Sequence, residues 1–176
     1  LPDHGYLTDY SASWRDVSLT DKYICFEKPL AIDLGGIAKG FAVDSVFNWL
    51  DRSDCSDAPV SLVVNAGGDI RMSQWEGQTV SIRLPDNSNL AVDLPVSHSA
   101  IASSAAYFNN EQLATVSPTG SVINSEQSVT VFADSCMVAD ALTKVVFLSD
   151  DPGPLLKSFN ARAVCIDRHG QVSYWG

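Results

Sequence analysis

The chain has 176 residues, of which 45% are hydrophobic and 18% are charged, which is the composition of an ordinary globular protein. Eleven lysines and arginines against 21 aspartates and glutamates give a net charge of −10, which argues against non-specific binding to nucleic acid or to an anionic membrane surface. No apolar run is long enough to span a bilayer, and none of the four cysteines belongs to a CxxC pair, so a zinc knuckle is not expected.

The first part of the chain is predicted to contain short strands and one helix. The apolar run over 30–32 predicts a strand, and the helical spacing of apolar residues over 37–50 predicts a helix with Lys39 in its first turn. A strand over 60–64 and a second one over 70–72 are expected to pair as a hairpin.

The second part is predicted to contain more strands and two further helices. Two strands with clean alternation are followed, after the ambiguous stretch 101–108, by a strand, a helix capped by Asp134 or Ser135, a short helix and two last strands. These elements cover 80–84, 90–94, 128–132, 135–148, 154–159, 163–166 and 172–175. Hairpins with two or three inserted helices predict a single α+β domain over residues 1–176, with mainly antiparallel sheets and two or three packed helices.

The first glycine-rich segment is Asp33-Leu34-Gly35-Gly36-Ile37-Ala38-Lys39-Gly40. The N-terminus of a helix carries partial positive charge, so a lysine in the first turn opposes the dipole unless an anion such as phosphate binds there. Glycines allow a ligand to approach the backbone closely, and Asp33 would accept hydrogen bonds from a ribose or a base. The alternative is a plain strand–turn–helix connection in which Asp33 forms an Asx turn and Lys39 is solvated.

A second glycine-rich segment is Asn65-Ala66-Gly67-Gly68-Asp69. It forms either a second backbone wall of the same phosphate site or an ordinary hairpin turn, since Gly-Gly and Gly-Asp pairs are common in turns.

Asp140 lies in an otherwise apolar stretch of the helix predicted over 135–148, where a carboxylate without a partner would be costly to bury. It is either a Mg²⁺ ligand, helped by Thr143, or the partner of Lys144 in an ordinary i,i+4 ion pair.

Together these segments, in this order, resemble the ApbE family of flavin transferases. The resembling stretches are 33–44, 65–69, 128–131 and 139–143. The resemblance implies an ApbE-type α+β fold and transfer of FMN from FAD to a serine or threonine hydroxyl of an acceptor flavoprotein, with Mg²⁺ and release of AMP, or hydrolysis of FAD to FMN and AMP. It also implies a bacterial periplasmic or cell-envelope protein that is at most peripheral to the membrane, often lipid-anchored, and that binds no nucleic acid.

The resemblance also implies roles for particular residues. Asp140 is predicted to be catalytic, and Mg²⁺ is expected to bind the backbone carbonyl of Gly36, the carboxylate of Asp140 and Thr143. Lys144, which departs from the family pattern, is the second predicted catalytic residue, because its ammonium group could stand in for the ion near the diphosphate. The residues expected to contact FAD are Asp33, Gly35, Gly36, Lys39, Ala66, Gly67, Gly68, Asp69 and Val116.

The chain departs from the family pattern at three places. Lys144 stands where the family has a threonine, and Ala114 and Ser117 stand near the places of a histidine and an aspartate, so the expected general base is missing. The chain also begins after a segment that supplies part of the flavin pocket in the family. These departures leave two alternatives open: a non-catalytic FAD- or AMP-binding protein in which Lys144 replaces the metal, and an envelope interaction module that has lost nucleotide binding.

Overall fold

The structure, a computed structural model, describes residues 12–52, 61–84, 90–105 and 127–176. The chain divides into two compact units, the first ending at Leu34 and the second beginning at Gly35. The organisation as a single domain therefore stays a prediction.

The described part of the first unit contains a 3-10 turn and one hairpin. The turn, Trp14–Asp16, has a capping box. The Ser13 side chain accepts a hydrogen bond from the backbone amide of Asp16, and the Asp16 side chain accepts one from the backbone amide of Ser13. Strands β1 (Val17–Leu19) and β2 (Ile24–Phe26) pair antiparallel. The strand predicted over 30–32 is wrong: these residues are irregular, because this short run pairs with no described strand.

The second unit is built on a six-stranded sheet in the order β10-β9-β8-β7-β4-β3, with every neighbouring pair antiparallel. Its strands are β3 (Val63–Ala66), β4 (Asp69–Met72), β7 (Ala100–Ala105), β8 (Gln127–Ala133), β9 (Arg162–Asp167) and β10 (Val172–Trp175). A separate antiparallel hairpin consists of β5 (Thr79–Arg83) and β6 (Ala91–Pro95).

Three helices accompany these strands in the described residues: α1 (Ala38–Asp51), α2 (Cys136–Leu148) and α3 (Gly153–Ser158). Helix α2 covers one face of the sheet, where its Leu142 and Val146 pack with Val129 and Val131 of β8. The hairpin β5–β6 covers the other face through Ile82 and Leu94, among others. The β8 side chains are buried on both faces, because β8 lies between these two layers.

Helices α1 and α2 approach each other closely at Gly40. A Cβ at this position would lie 2.3 Å from the carbonyl oxygen of Cys136, so only glycine fits against the first turn of α2. Val43 of α1 then packs with Ala100 of β7 and with Cys136. The small residue at position 40 therefore sets the contact that holds the start of α1 beside α2.

The α+β class and most of the predicted elements are confirmed. The helices, the strand pair β5–β6 and the strands β8, β9 and β10 lie within a few residues of their predicted bounds, and Ser135 caps α2 by accepting from the Val138 amide. The ambiguous stretch 101–108 contributes the buried strand β7, which ends at Ala105 in the described residues. Across the described ranges, no helix combines the length and the apolar character needed to cross a bilayer.

Candidate functional site

A cleft of about 570 Å³ opens in the second unit beside the first turn of α1. One side is formed by Gly35, Lys39 and the β3–β4 turn, and α2 contributes Asp140 and Lys144. Strands β5 and β7 line the rest of the cleft with apolar side chains, Val80, Ile82, Ile101 and Ala105, and with polar ones, Ser81, Arg83, Ser103 and Ser104. The cleft thus has charged groups beside the two helices and a mixed apolar and polar lining along the strands.

Lys39 at the charged end pairs with a buried carboxylate. Its Nζ lies 2.9 Å from Oδ1 of Asp69, whose side chain is fully buried. Neither Asp69 oxygen accepts a well-directed hydrogen bond from a described residue, so charge rather than hydrogen-bond geometry holds the pair. The two glycine-rich segments predicted from the sequence therefore meet in one place.

Burial dominates the electrostatics of Asp69. Desolvation raises the pKa of the Asp69 carboxyl to about 6, and the charge of Asp140 adds to this rise, while Lys39 and Lys144 oppose it. The ion pair with Lys39 therefore offsets only part of the cost of burying this carboxylate.

Asp140 and Lys144 form the i,i+4 ion pair that the sequence left open. Lys144 Nζ donates to Asp140 Oδ1 at 2.8 Å and to Thr143 Oγ1 at 3.0 Å. The other oxygen of Asp140 accepts from the Gly40 amide at 3.2 Å, and Thr143 donates to the Asp140 carbonyl at 2.7 Å. Both carboxylate oxygens of Asp140 are thus engaged.

The three residues predicted to bind Mg²⁺ come together, and all three contact Lys144. Asp140 and Thr143 accept from its ammonium group, and Gly36 lies against its aliphatic stem, since a Cβ on Gly36 would be 3.5 Å from Lys144 Cε. In the parts of the chain that the structure describes, no cluster of three or more His, Cys, Asp or Glu side chains could hold a metal ion.

Each of the two long helices is capped by an aspartate of the other. Helix α1 has no side-chain cap of its own, and Asp140 of α2 supplies one by accepting from the Gly40 amide. Asp44 of α1 accepts from the amides of Cys136 and Met137 at 3.0 and 2.9 Å, at the start of α2. Because carboxylates stabilise helix N-termini, these two contacts fix the helices that carry Lys39 and Lys144.

Burial by itself would raise the pKa of Asp44, but hydrogen bonds outweigh it. The amides of Met137 and Cys136 and the guanidinium of Arg71, whose Nη1 is 2.6 Å from Asp44 Oδ1, lower the pKa of this carboxyl below its ordinary value. Asp44 therefore stays ionised and holds the start of α2.

The β3–β4 turn is both a hairpin turn and a wall of the cleft. Gly67 and Gly68 have φ values of 62° and 101°, a conformation that favours glycine, and both residues line the cleft. The Gly68 amide donates to Asn65 Oδ1 at 3.1 Å, so this amide is already used within the turn. The interpretation as a hairpin turn is confirmed, and a role of this turn as a wall of a phosphate site stays a prediction.

Comparisons with known proteins identify the family of this chain. The sequence profile of the ApbE family matches residues 7–163, which is most of the chain. The chain belongs to the ApbE family. A comparison with curated proteins gives no sequence match.

Solved ApbE structures share the fold. A single-residue variant of the flavin transferase ApbE from Vibrio cholerae superposes with a TM-score of 0.70 at 24% identity, covering 92% of this chain and 56% of that one. The apo flavinyl transferase ApbE of Pseudomonas stutzeri gives 0.69 at 22%, covering 92% and 54%, and the ApbE protein of Thermotoga maritima gives 0.68 at 23%, covering 93% and 58%. This chain thus spans just over half the length of these proteins.

Not all residues expected from the ApbE resemblance lie at the cleft. Gly35, Lys39, Gly67, Gly68, Asp140 and Lys144 line it, and Asp69 and Thr143 lie behind it in contact with the two lysines. Ala66 packs instead against the cluster of Val43, Ala100 and Cys136. Asp33 belongs to the first unit, so its role stays a prediction, and Val116, Ala114 and Ser117 lie outside the described residues.

The wall of the cleft formed by β5 and β7 was not predicted from the sequence. Val80 and Ile82 of β5 and Ser103 and Ser104 of β7 line it, as does Arg83, a third cation. The alternation over 80–84 indicated a half-buried strand, but nothing in it indicated a ligand. Neither His98 nor His169, the two histidines in the described ranges, lines the cleft.

Proposed function

We propose that this ApbE chain binds FAD in the cleft and transfers FMN to a serine or threonine hydroxyl of an acceptor flavoprotein, releasing AMP. The observation that carries the proposal is the convergence of Lys39, Lys144 and the Gly67–Gly68 turn in one cleft that Val80 and Ile82 also line. Ammonium groups suit a diphosphate, and the apolar side chains of Val80 and Ile82 suit the face of a flat aromatic ring.

The transfer step is a displacement at phosphorus. The hydroxyl oxygen attacks the phosphorus on the FMN side of the diphosphate, the bond from that phosphorus to the bridging oxygen breaks, and AMP leaves with that oxygen. The hydroxyl proton leaves to solvent. Lys39 and Lys144 would hold the diphosphate and stabilise the charge that grows on the leaving oxygen, which is the main protein contribution in phosphoryl chemistry.

The residues around Asp140 do not support the Mg²⁺ dependence that the resemblance implies. Lys144 donates to both Asp140 and Thr143, and its stem covers Gly36, so a divalent cation does not fit among these three residues while Lys144 holds this position. We therefore assign no step of the reaction to a metal.

Incubation with FAD and an acceptor flavoprotein domain tests the proposal. We expect AMP to appear together with covalently flavinylated acceptor, and without acceptor a slower release of AMP and FMN. Lys39→Met is expected to reduce the rate by at least about tenfold, because a hydrogen bond to a charged group contributes about 1.5–3 kcal/mol. FAD that stays intact under all metal conditions would contradict transfer and hydrolysis alike.

The second candidate is a non-catalytic protein that binds FAD or AMP. It is favoured by the ion pair between Lys144 and Asp140 and by the lack of a histidine at the cleft among the described residues. It predicts a thermal shift with FAD or AMP without any AMP release.

The location in the cell envelope stays a proposal that rests on the family resemblance, and fractionation of the native cells would test it.

A further inference from the structure

We propose that the ammonium group of Lys144 takes the place of the divalent cation, so that this chain binds the diphosphate of FAD without metal. The inference rests on the proposed function, because it concerns how the same cleft binds the same ligand. It concerns Lys144 and the three residues that lie around its side chain, Asp140, Thr143 and Gly36.

The position of Lys144 is built by its surroundings. Its stem lies beside Gly36, where an added Cβ would be in van der Waals contact with it at 3.5 Å. Its Nζ is held at 2.8 Å from Asp140 and 3.0 Å from Thr143. Asp140 is itself oriented by the Gly40 amide at the start of α1. The ammonium group is therefore preorganised, so that little side-chain entropy is lost when a ligand binds.

The hydrogen-bond capacity of Lys144 matches a role in ligand binding. An ammonium group has three donors, and two of them serve Asp140 and Thr143. Lys144 also lines the cleft, and about a quarter of its side chain is exposed, 26%. The third donor thus remains for an oxygen of a ligand in the cleft.

A metal would compete directly with this group. A divalent cation on Asp140 would lie within a few ångströms of the ammonium nitrogen, because both need the same carboxylate and the same threonine hydroxyl. The repulsion between the two cations would oppose metal binding in this partly desolvated place. Lys39, at the start of α1, supplies the second positive charge facing a diphosphate.

The first test uses the metal alone. Titration of the ligand-free protein with Mn²⁺ or Mg²⁺, monitored by calorimetry, is expected to show no metal-binding site that depends on Asp140. Lys144→Thr replaces the ammonium by a hydroxyl beside Asp140 and Thr143 and is expected to create such a site, which Asp140→Asn should then abolish. Metal binding by the wild-type protein that is lost in Asp140→Asn would overturn the inference.

The second test measures FAD binding with EDTA and with excess Mg²⁺. The wild-type affinity is expected to stay within about a factor of two, since an ion that does not bind has no coupling to the ligand. Lys144→Met is expected to weaken FAD binding about ten- to a hundredfold. Lys157→Met, at an exposed lysine of α3 away from the cleft, is the matched control and should bind like wild type.

A double variant keeps the test valid if Lys144→Met does not fold. Asp140→Asn with Lys144→Met removes both charges of the pair, so no unpaired carboxylate is left buried, and it should show the same loss of FAD affinity. Equal affinity of these variants and the wild type would overturn the inference.

The outcomes separate this inference from the proposed function. FAD binding that requires Mg²⁺ in the wild-type protein would overturn the role of Lys144 and leave the proposed function intact. No FAD binding under either condition would contradict the proposed function itself, and the inference with it.

Discussion

Asp69 is the residue with the least favourable surroundings at the candidate site. It is fully buried, and its contact with Lys39 lacks the geometry of a good hydrogen bond. A carboxylate in this position costs stability unless a second positive group or a proton neutralises it. The site thus holds a charge whose cost is offset elsewhere in the fold, which is typical of residues that serve binding rather than folding.

The raised pKa of Asp69 predicts how stability changes with pH. The folded-state pKa of about 6 lies above the ordinary value of 3.8, so the folded state binds this proton more tightly. The contribution that protonation of Asp69 makes to the stability of the folded state is fully present below pH 3.8 and is lost as the pH rises to about 6. As the pH rises from 3.8 to about 6, the free energy of unfolding of Asp69→Asn should therefore increase relative to that of the wild type, by an amount on the order of 2–3 kcal/mol.

Urea denaturation of both proteins between pH 4 and pH 7 measures this difference. Asp51→Asn, which removes an exposed aspartate at the end of α1, controls for the loss of one negative charge. Asp44 does not interfere, because its pKa is lowered and its contribution is lost only as the pH falls below 3.8. A pH-independent difference between Asp69→Asn and wild type would contradict the assignment.

At the residue scale, the sequence predicted contacts that depend on local spacing. The pair Asp140–Lys144 follows from the i,i+4 geometry of a helix and is confirmed at 2.8 Å. The pair Lys39–Asp69 and the burial of Asp69 could not be predicted, because they depend on how α1 packs beside the β3–β4 hairpin.

At the scale of elements, the first turns of α1 and α2 support each other. Gly40 allows the close approach, Asp140 caps α1, and Asp44 caps α2. Much of the first glycine-rich segment is therefore explained by helix packing. The residues of this segment that line the cleft are Gly35 and Lys39.

Gly40→Ala is expected to destabilise the protein by about 1–3 kcal/mol or more, because the added methyl group would overlap the backbone of Cys136. In an open helix the same substitution would instead stabilise by about 0.5–1 kcal/mol. The sign of the stability change in Gly40→Ala therefore shows whether Gly40 is in close contact with the backbone of Cys136. Thermal denaturation measures it, with Ser45→Ala on the exposed side of α1 as control; a stabilised Gly40→Ala would refute the close contact.

Asp44→Asn is expected to cost about 1.5–3 kcal/mol, since it weakens the hydrogen bonds from the amides of Cys136 and Met137 and the ion pair with Arg71. The loss should shrink as the pH falls below 3.8, because the unfolded wild-type chain then binds a proton at Asp44 that the folded state, with its lowered pKa, binds only at lower pH. Denaturation curves at pH 7 and pH 3 measure both quantities. A cost that is the same at both values would mean that the charge of Asp44 is not what stabilises the helix start.

Periodicity explains which elements were predictable. Helices α1 and α2 and strands β5 and β6 have long, regular patterns, and their bounds were predicted within one or two residues. The run over 30–32 was too short to decide. The residues of β7 gave no clear period, because nearly all of them are small and its last three are partly exposed at the cleft.

At the scale of the whole second unit, the sheet brings distant segments to one cleft. Strands β5 and β7 supply a wall of mixed apolar and polar side chains, the β3–β4 turn and α1 supply one polar side, and α2 supplies the other. The family and the α+β fold could be predicted, because three ordered motifs carry that information. The composition of the strand wall could not, because it is set by sheet order and by the packing of the β5–β6 hairpin.

The crystal structure of the protein soaked with FAD tests the central claim most directly. The account predicts the diphosphate within hydrogen-bond distance of both Lys39 Nζ and Lys144 Nζ, the Gly67–Gly68 turn beside it, and a ring of the ligand against Val80 and Ile82. FAD bound elsewhere on the molecule, or a diphosphate held on Asp140 through a metal with Lys144 displaced, would contradict it.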